Sequence, residues 1–132
     1  MEQSGILKVH FVLLSLLLTM GCSDNDMVFD LDYPQELINS WTASYEEGEG
    51  VYRLSDSRTF PPARFRQIYQ FMEDYQCKVL YIGPADGHLK EDRIWGYDKK
   101  EKVIRVYTID GDFEFSLKII DVSEDRLLLD RQ

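Results

Sequence analysis

Few side chains in this sequence have the type and spacing to do chemistry. The chain holds two histidines, His10 and His88, and two cysteines, Cys22 and Cys77, in 132 residues. A zinc site needs four ligands, and this set does not supply them. His88 follows Asp86-Gly87, and Asp86, Glu91 and Asp92 are its only near carboxylates in the chain. It reads as a solvated loop histidine, and no metal is expected. Cys77 stands in an apolar, strand-like run. A nucleophilic thiolate needs an activating base and an electropositive, exposed setting, so Cys77 reads instead as a small buried hydrophobe.

Two charged groups also invite chemistry. Glu46-Glu47-Gly48-Glu49 offers three carboxylates, which would suit calcium, or an acid and base if they flanked a cleft. On a single turn they read as a solvated hairpin tip. Arg64 and Arg66 share a strand face, with Arg58 nearby. They suit an anionic ligand at a mouth or, the favoured reading, ion pairs with the abundant acids. No nucleophile–base pair and no phosphate-cradling glycine loop is present. Catalysis is therefore not expected, and neither is a cofactor.

Charge and length narrow the field further. The formal net charge is −9, from 15 basic against 24 acidic residues. Nucleic acid binding needs clustered cations and is not expected. Apolar residues make up 44% and charged residues 30%, at a length that suits one folded domain of ordinary core size.

The first residues read as an address. Phe11-Val12-Leu13-Leu14-Ser15-Leu16-Leu17-Leu18 is too short to span a bilayer but has the length of a secretory apolar region. It leads to Gly21-Cys22. This segment resembles a bacterial lipoprotein signal, in which a small residue precedes a Cys that is lipidated and becomes residue one. Thr19 departs from the Leu usual three residues before that Cys. The resemblance implies a cleaved signal over 1–21, lipid attachment at Cys22 and a tether over 22–34. Ser23-Asp24-Asn25-Asp26 is similar to the acidic tag of surface-displayed Bacteroidetes lipoproteins. The expected location is the outer membrane, lipid-anchored, at its periplasmic face or the cell surface. Two or three acyl chains hold a protein on a membrane stably, where one is marginal.

From Ile38 the chain repeats one unit, a run of β-branched and aromatic residues followed by a polar turn. The expected strands are Ile38–Tyr45, Val51–Leu54, Arg64–Met72, Tyr75–Ile82, Arg93–Asp98, Lys102–Ile109, Phe113–Val122 and Arg126–Arg131. Asp110-Gly111 suits a hairpin turn with positive φ. Phe113, Phe115, Leu117 and Ile119 alternate with polar residues, as in a half-buried strand. One helical turn is expected after Pro34. Eight strands in hairpin order predict an all-β, antiparallel up-and-down barrel over 35–132, since closure removes exposed edges.

The order of tether, helical turn, Trp41 in the first strand and meander resembles the lipocalin-like small barrels of bacterial lipoproteins. Asn39-Ser40-Trp41 stands where those families begin Gly-x-Trp, so the Trp is present and the Gly is not. Phe60-Pro61-Pro62-Ala63-Arg64-Phe65-Arg66, Ile82-Gly83-Pro84-Ala85-Asp86 and Trp95 are similar to a pattern in uncharacterised members. The resemblance implies a binding module for a small apolar or amphipathic ligand, with Phe65, Tyr69, Phe71, Tyr81, Trp95 and Phe115 as candidate pocket residues. It also implies Trp41 and Arg131 as a structural anchor. If the last strand pairs with the first, Arg131, or failing it Arg126, reaches the indole.

Sixteen of the seventeen aromatic residues follow the leader, which carries only Phe11, and they leave so small a barrel little room, so a large empty calyx is not expected. The alternative is an accessory lipoprotein, monomeric, with a side-chain-filled barrel that meets an envelope protein or a glycan through loops near Ser55–Pro62 and Gly83–Asp92. Interior volume separates the two readings.

Overall fold

The computed structural model describes residues 29–83 and 87–132. The signal region, Cys22 and most of the tether lie outside the described residues, as do Pro84, Ala85 and Asp86. The described chain forms a closed barrel of eight antiparallel strands. They are β1 Ser40–Ala43, β2 Val51–Leu54, β3 Ile68–Phe71, β4 Gln76–Ile82, β5 His88–Asp98, β6 Val103–Tyr107, β7 Phe113–Val122 and β8 Arg126–Arg131. A 3₁₀ turn at Gln35–Leu37 precedes β1.

All eight expected strands are present, and three match their expected bounds. Two differ most. β3 begins at Ile68 rather than Arg64, because Arg64 to Gln67 belong to an irregular strap. β5 begins at His88 rather than Arg93. Its first residues, His88 to Asp92, are exposed and, Leu89 apart, polar, so no alternation marks them as strand.

The order around the barrel is β1-β2-β8-β7-β6-β5-β4-β3, with β3 closing onto β1. It departs from a plain meander at one place. β1 sits between β2 and β3, and β2, not β1, pairs with β8. The link from β2 to β3 therefore crosses the outer side of β1, from one barrel end to the other. Ser55 Oγ bonds Ser40 and Thr42, both at 2.8 Å, and fixes the start of the strap. Arg66 fixes its end by donating to the Ala43 carbonyl (2.9 Å) and to Pro61. Under this strap Thr42 is buried, although it faces away from the barrel interior.

The strand directions define two ends. At the first end lie the turn before β1 and the β3–β4, β5–β6 and β7–β8 links. At the second lie the β1–β2, β4–β5 and β6–β7 links and the end of β8. The first end is plugged. Leu37 and Trp41 are wholly buried there, and Trp41 Nε1 donates to the Leu37 carbonyl at 3.1 Å. Tyr33 packs edge-on against Trp95, whose Nε1 donates to the Met72 carbonyl. The N-terminal described residue, Phe29, bridges Tyr97 and packs on Tyr75. The chain thus approaches the barrel at the plugged end.

Gly50 is required where β2 meets β8. Its φ is +77°, and a Cβ there would lie 2.2 Å from the Leu129 carbonyl oxygen. Leu129 N–H donates to Gly50 O at 2.9 Å, so the two backbones meet closely at the seam.

Candidate functional site

The interior is occupied by side chains. Trp41, Tyr69, Phe71, Trp95, Ile104, Val106, Leu117 and Leu127 are each no more than 1% exposed and form one core with Cys77. An eight-stranded barrel has just enough width for such a filling. The rings interlock: Tyr69 stacks on Phe71 at 6.1 Å between centroids, and Phe71 meets Trp95 edge-on at 5.5 Å.

The six candidate pocket residues therefore separate. Tyr69, Phe71, Trp95 and Phe115 share the core and fill it. Tyr81 lies at its edge, half-buried. Phe65 stands outside the barrel on the strap, in edge contact with His88. A surface recess of about 330 Å³ there is lined by Arg64, Phe65, Ile82 and His88.

The anchor pair is also separated. Arg131 does not reach Trp41. Its guanidinium lies 4.3 Å over the ring of Phe115. The physical reason is the inserted β2. With β2 between them, β1 and β8 run in the same sense, so the end of β8 lies at the opposite barrel end from the plug around Trp41. Arg126 does not meet the indole either: it alternates with the buried Leu127 and so faces outward, where it pairs with Asp121, while Trp41 faces the core.

Other candidates fall into place. Glu46 pairs with Arg66, and Glu47 with Arg53 (2.6 Å) and Arg58 (3.6 Å). Hydrogen bonds from Arg53 and Ser44 hold the Glu47 carboxyl well below its ordinary value, at about 2. The acidic tip and two of the three arginines thus neutralise one another. Glu49 has no ion-pair partner among the described residues. Cys77 is buried, and desolvation pushes its thiol up to about 12. That is the setting of an inert thiol.

The second barrel end was not legible from sequence. A bulge in β7 makes it: Val106 opposes Phe115 and Tyr107 opposes Phe113, so Glu114 is the extra residue. Glu114 accepts from the Tyr81 hydroxyl and from Arg93 Nε (2.7 Å), and Arg93 also reaches Glu91 (2.8 Å) and caps the Tyr81 ring at 5.1 Å. Burial and the adjacent carboxylate push the Tyr81 phenol up. No alternation pattern announces a bulged Glu, and only the break in Phe113-Glu114-Phe115 hints at it.

Beside this network, a recess of about 550 Å³ opens at the same rim, along β2, β7 and β8. Tyr45, Tyr52, Leu117 and Leu129 line it with Glu49, Asp130 and Arg131. The Tyr52 and Tyr69 rings stand 5.4 Å apart, and burial raises both phenols. Arg131 faces the Tyr69 hydroxyl. A larger groove, about 860 Å³, runs across the outer wall of β4 and β5 past Phe29, Met72, Tyr75, Ile94 and Ile109. Tyr75 holds a left-handed backbone (φ 60°), strained for an aromatic residue, while its ring packs between Phe29, Tyr33 and Trp95.

No family model, no curated protein and no solved structure matches this chain.

Proposed function

We propose that this chain is a membrane-anchored envelope lipoprotein, held by lipid on Cys22, whose barrel is a solid scaffold that recognises its partner at the surface. The observation that carries this reading is the filled interior. With Trp41, Tyr69, Phe71 and Trp95 interlocked, an apolar guest would have to displace the core, and each large side chain moved out would cost about 3–5 kcal/mol. The accessory reading is therefore preferred to the calyx reading, and a non-catalytic role goes with it.

The plugged end receives the chain from the tether. From Cys22 to Phe29 an extended chain reaches at most about 25 Å, so the plugged end stays near the lipid. The opposite rim, with Leu89 and Phe113 exposed, is then presented away from the membrane. The body's charge of −9 is unaffected by removal of the leader, which carries one Lys and one Glu, and it keeps the body off anionic lipid.

The test is intact and native mass spectrometry of the protein purified from its own host membranes. The reading expects acyl mass on Cys22 and no small molecule retained in the barrel. An unmodified Cys22, or a tightly held apolar ligand, contradicts it.

A further inference from the structure

The rim recess between β2 and β8 holds three charged side chains, Glu49, Asp130 and Arg131, and none has an ion-pair partner among the described residues. Among the described residues six arginines, Arg53, Arg58, Arg66, Arg93, Arg105 and Arg126, each pair with an acid, and of the two that do not, Arg64 is exposed on the strap whereas Arg131 stands over a ring. Arg131 is the one cation of this recess, in a chain where acids outnumber bases. Its guanidinium is held over Phe115 and beside the Tyr69 hydroxyl, so it is oriented without being neutralised. The two acids sit on the same recess, Glu49 from the β1–β2 link and Asp130 from β8. The body between these charges is aromatic and aliphatic, from Tyr45, Tyr52 and Leu117.

A simple anion would meet Arg131 but also the Glu49 carboxylate. A simple cation would meet the reverse conflict. A ligand with both charges satisfies Arg131 and Glu49, while Asp130 stands on the outer face of β8, opposite Lys118. We propose that this recess binds a zwitterion with an apolar body, namely an α-amino acid with a large apolar side chain. Its carboxylate lies on Arg131, its ammonium toward Glu49, and its side chain against the tyrosines. The recess, at about 550 Å³, is of ordinary size for a small-molecule site. The inference rests on the reading that recognition occurs at the rim and not inside the barrel.

The test uses the full chain carrying Cys22→Ser, so that detergent and acyl chains do not enter. L-Phenylalanine is titrated by calorimetry and by NMR, beside N-acetyl-L-phenylalanine, which lacks the cation, and L-phenylalaninamide, which lacks the anion. The inference expects saturable binding of phenylalanine and at least tenfold weaker binding of each derivative. Arg131→Gln and Glu49→Gln each weaken phenylalanine binding tenfold or more while the protein still unfolds in one cooperative transition above the titration temperature, Arg131→Gln with the lower Tm of the two. Arg64→Gln, an exposed arginine outside the recess, leaves binding unchanged. Absence of saturable binding up to about 10 mM phenylalanine overturns the inference. So does equal binding of the three compounds, or undiminished binding by Glu49→Gln. Such a failure, with acyl mass on Cys22 and no guest in the barrel, leaves the lipoprotein scaffold standing. A guest found inside the barrel removes that reading instead.

Discussion

Arg131 stacks its guanidinium 4.3 Å over the ring of Phe115, at the barrel end opposite to the plug that contains Trp41. The contact follows from strand order. β8 pairs with β2 and β7, and Arg131 stands opposite Leu117 on β7. A cation over a ring contributes about 0.5–2 kcal/mol. Arg131→Ala and Phe115→Ala should therefore couple by about 0.5 kcal/mol or more, while Arg131→Ala and Trp41→Ala should add. Denaturant unfolding of the two double-mutant cycles checks this. Trp41→Ala alone should cost about 3–5 kcal/mol through the cavity it leaves.

Glu114 holds the rim together from a bulge. Its partners Tyr81 and Arg93 are both partly buried, so removing the carboxylate takes the acceptor from the Tyr81 hydroxyl and from Arg93 Nε, while Arg93 keeps Glu91. Glu114→Ala should cost about 1–3 kcal/mol. Glu91→Ala should cost less, because Glu91 is the more exposed partner of Arg93, at 46% against 23%. Thermal melts of the two variants give the order directly.

Cys77 should resist thiol reagents in the folded state and react at the rate of global unfolding. Its folded pKa, about 12, lies above the ordinary value of 9.0. The sign follows: below pH 9 both states keep the proton and nothing is lost. Above it the unfolded thiol ionises first, so stability falls as pH rises from 9 toward 12. Cys77→Ala should remove this part of the alkaline loss, measured as the change in Tm between pH 8 and pH 11.

Glu47 carries the opposite sign. Its pKa is lowered from 4.5 to about 2 by Arg53 and Ser44, so its contribution is present above pH 4.5 and is lost as pH falls through about 2. The group is exposed, and salt should weaken the effect. The difference in Tm between the wild type and Glu47→Gln should be largest near neutral pH and small at pH 2.

Strand identity was legible because it is local. Phe113 to Val122 alternates, Asp110-Gly111 turns, and Gly48 to Gly50 turns, so eight strands and their number follow from spacing alone. Strand order is not local. Nothing in Ser55 to Gln67 states that this stretch crosses β1 rather than turning back beside β2, although Pro61-Pro62 withholds two backbone donors and so disfavours ladder pairing there. That single crossing moved Arg131 to the other end of the barrel. The rim was illegible for a related reason. Its recess joins Glu49, Tyr52 and Arg131 across a seam of distant residues, and the Glu114 carboxylate enters through a bulge that periodicity does not encode.

The central claim is that the barrel is filled and not a calyx. NMR of the Cys22→Ser protein under xenon pressure tests it most directly, since xenon enters dry apolar cavities without chemical selectivity. The account predicts no xenon-induced shifts for the groups around Trp41, Tyr69, Phe71 and Trp95. Saturable shifts centred on those four residues would contradict it.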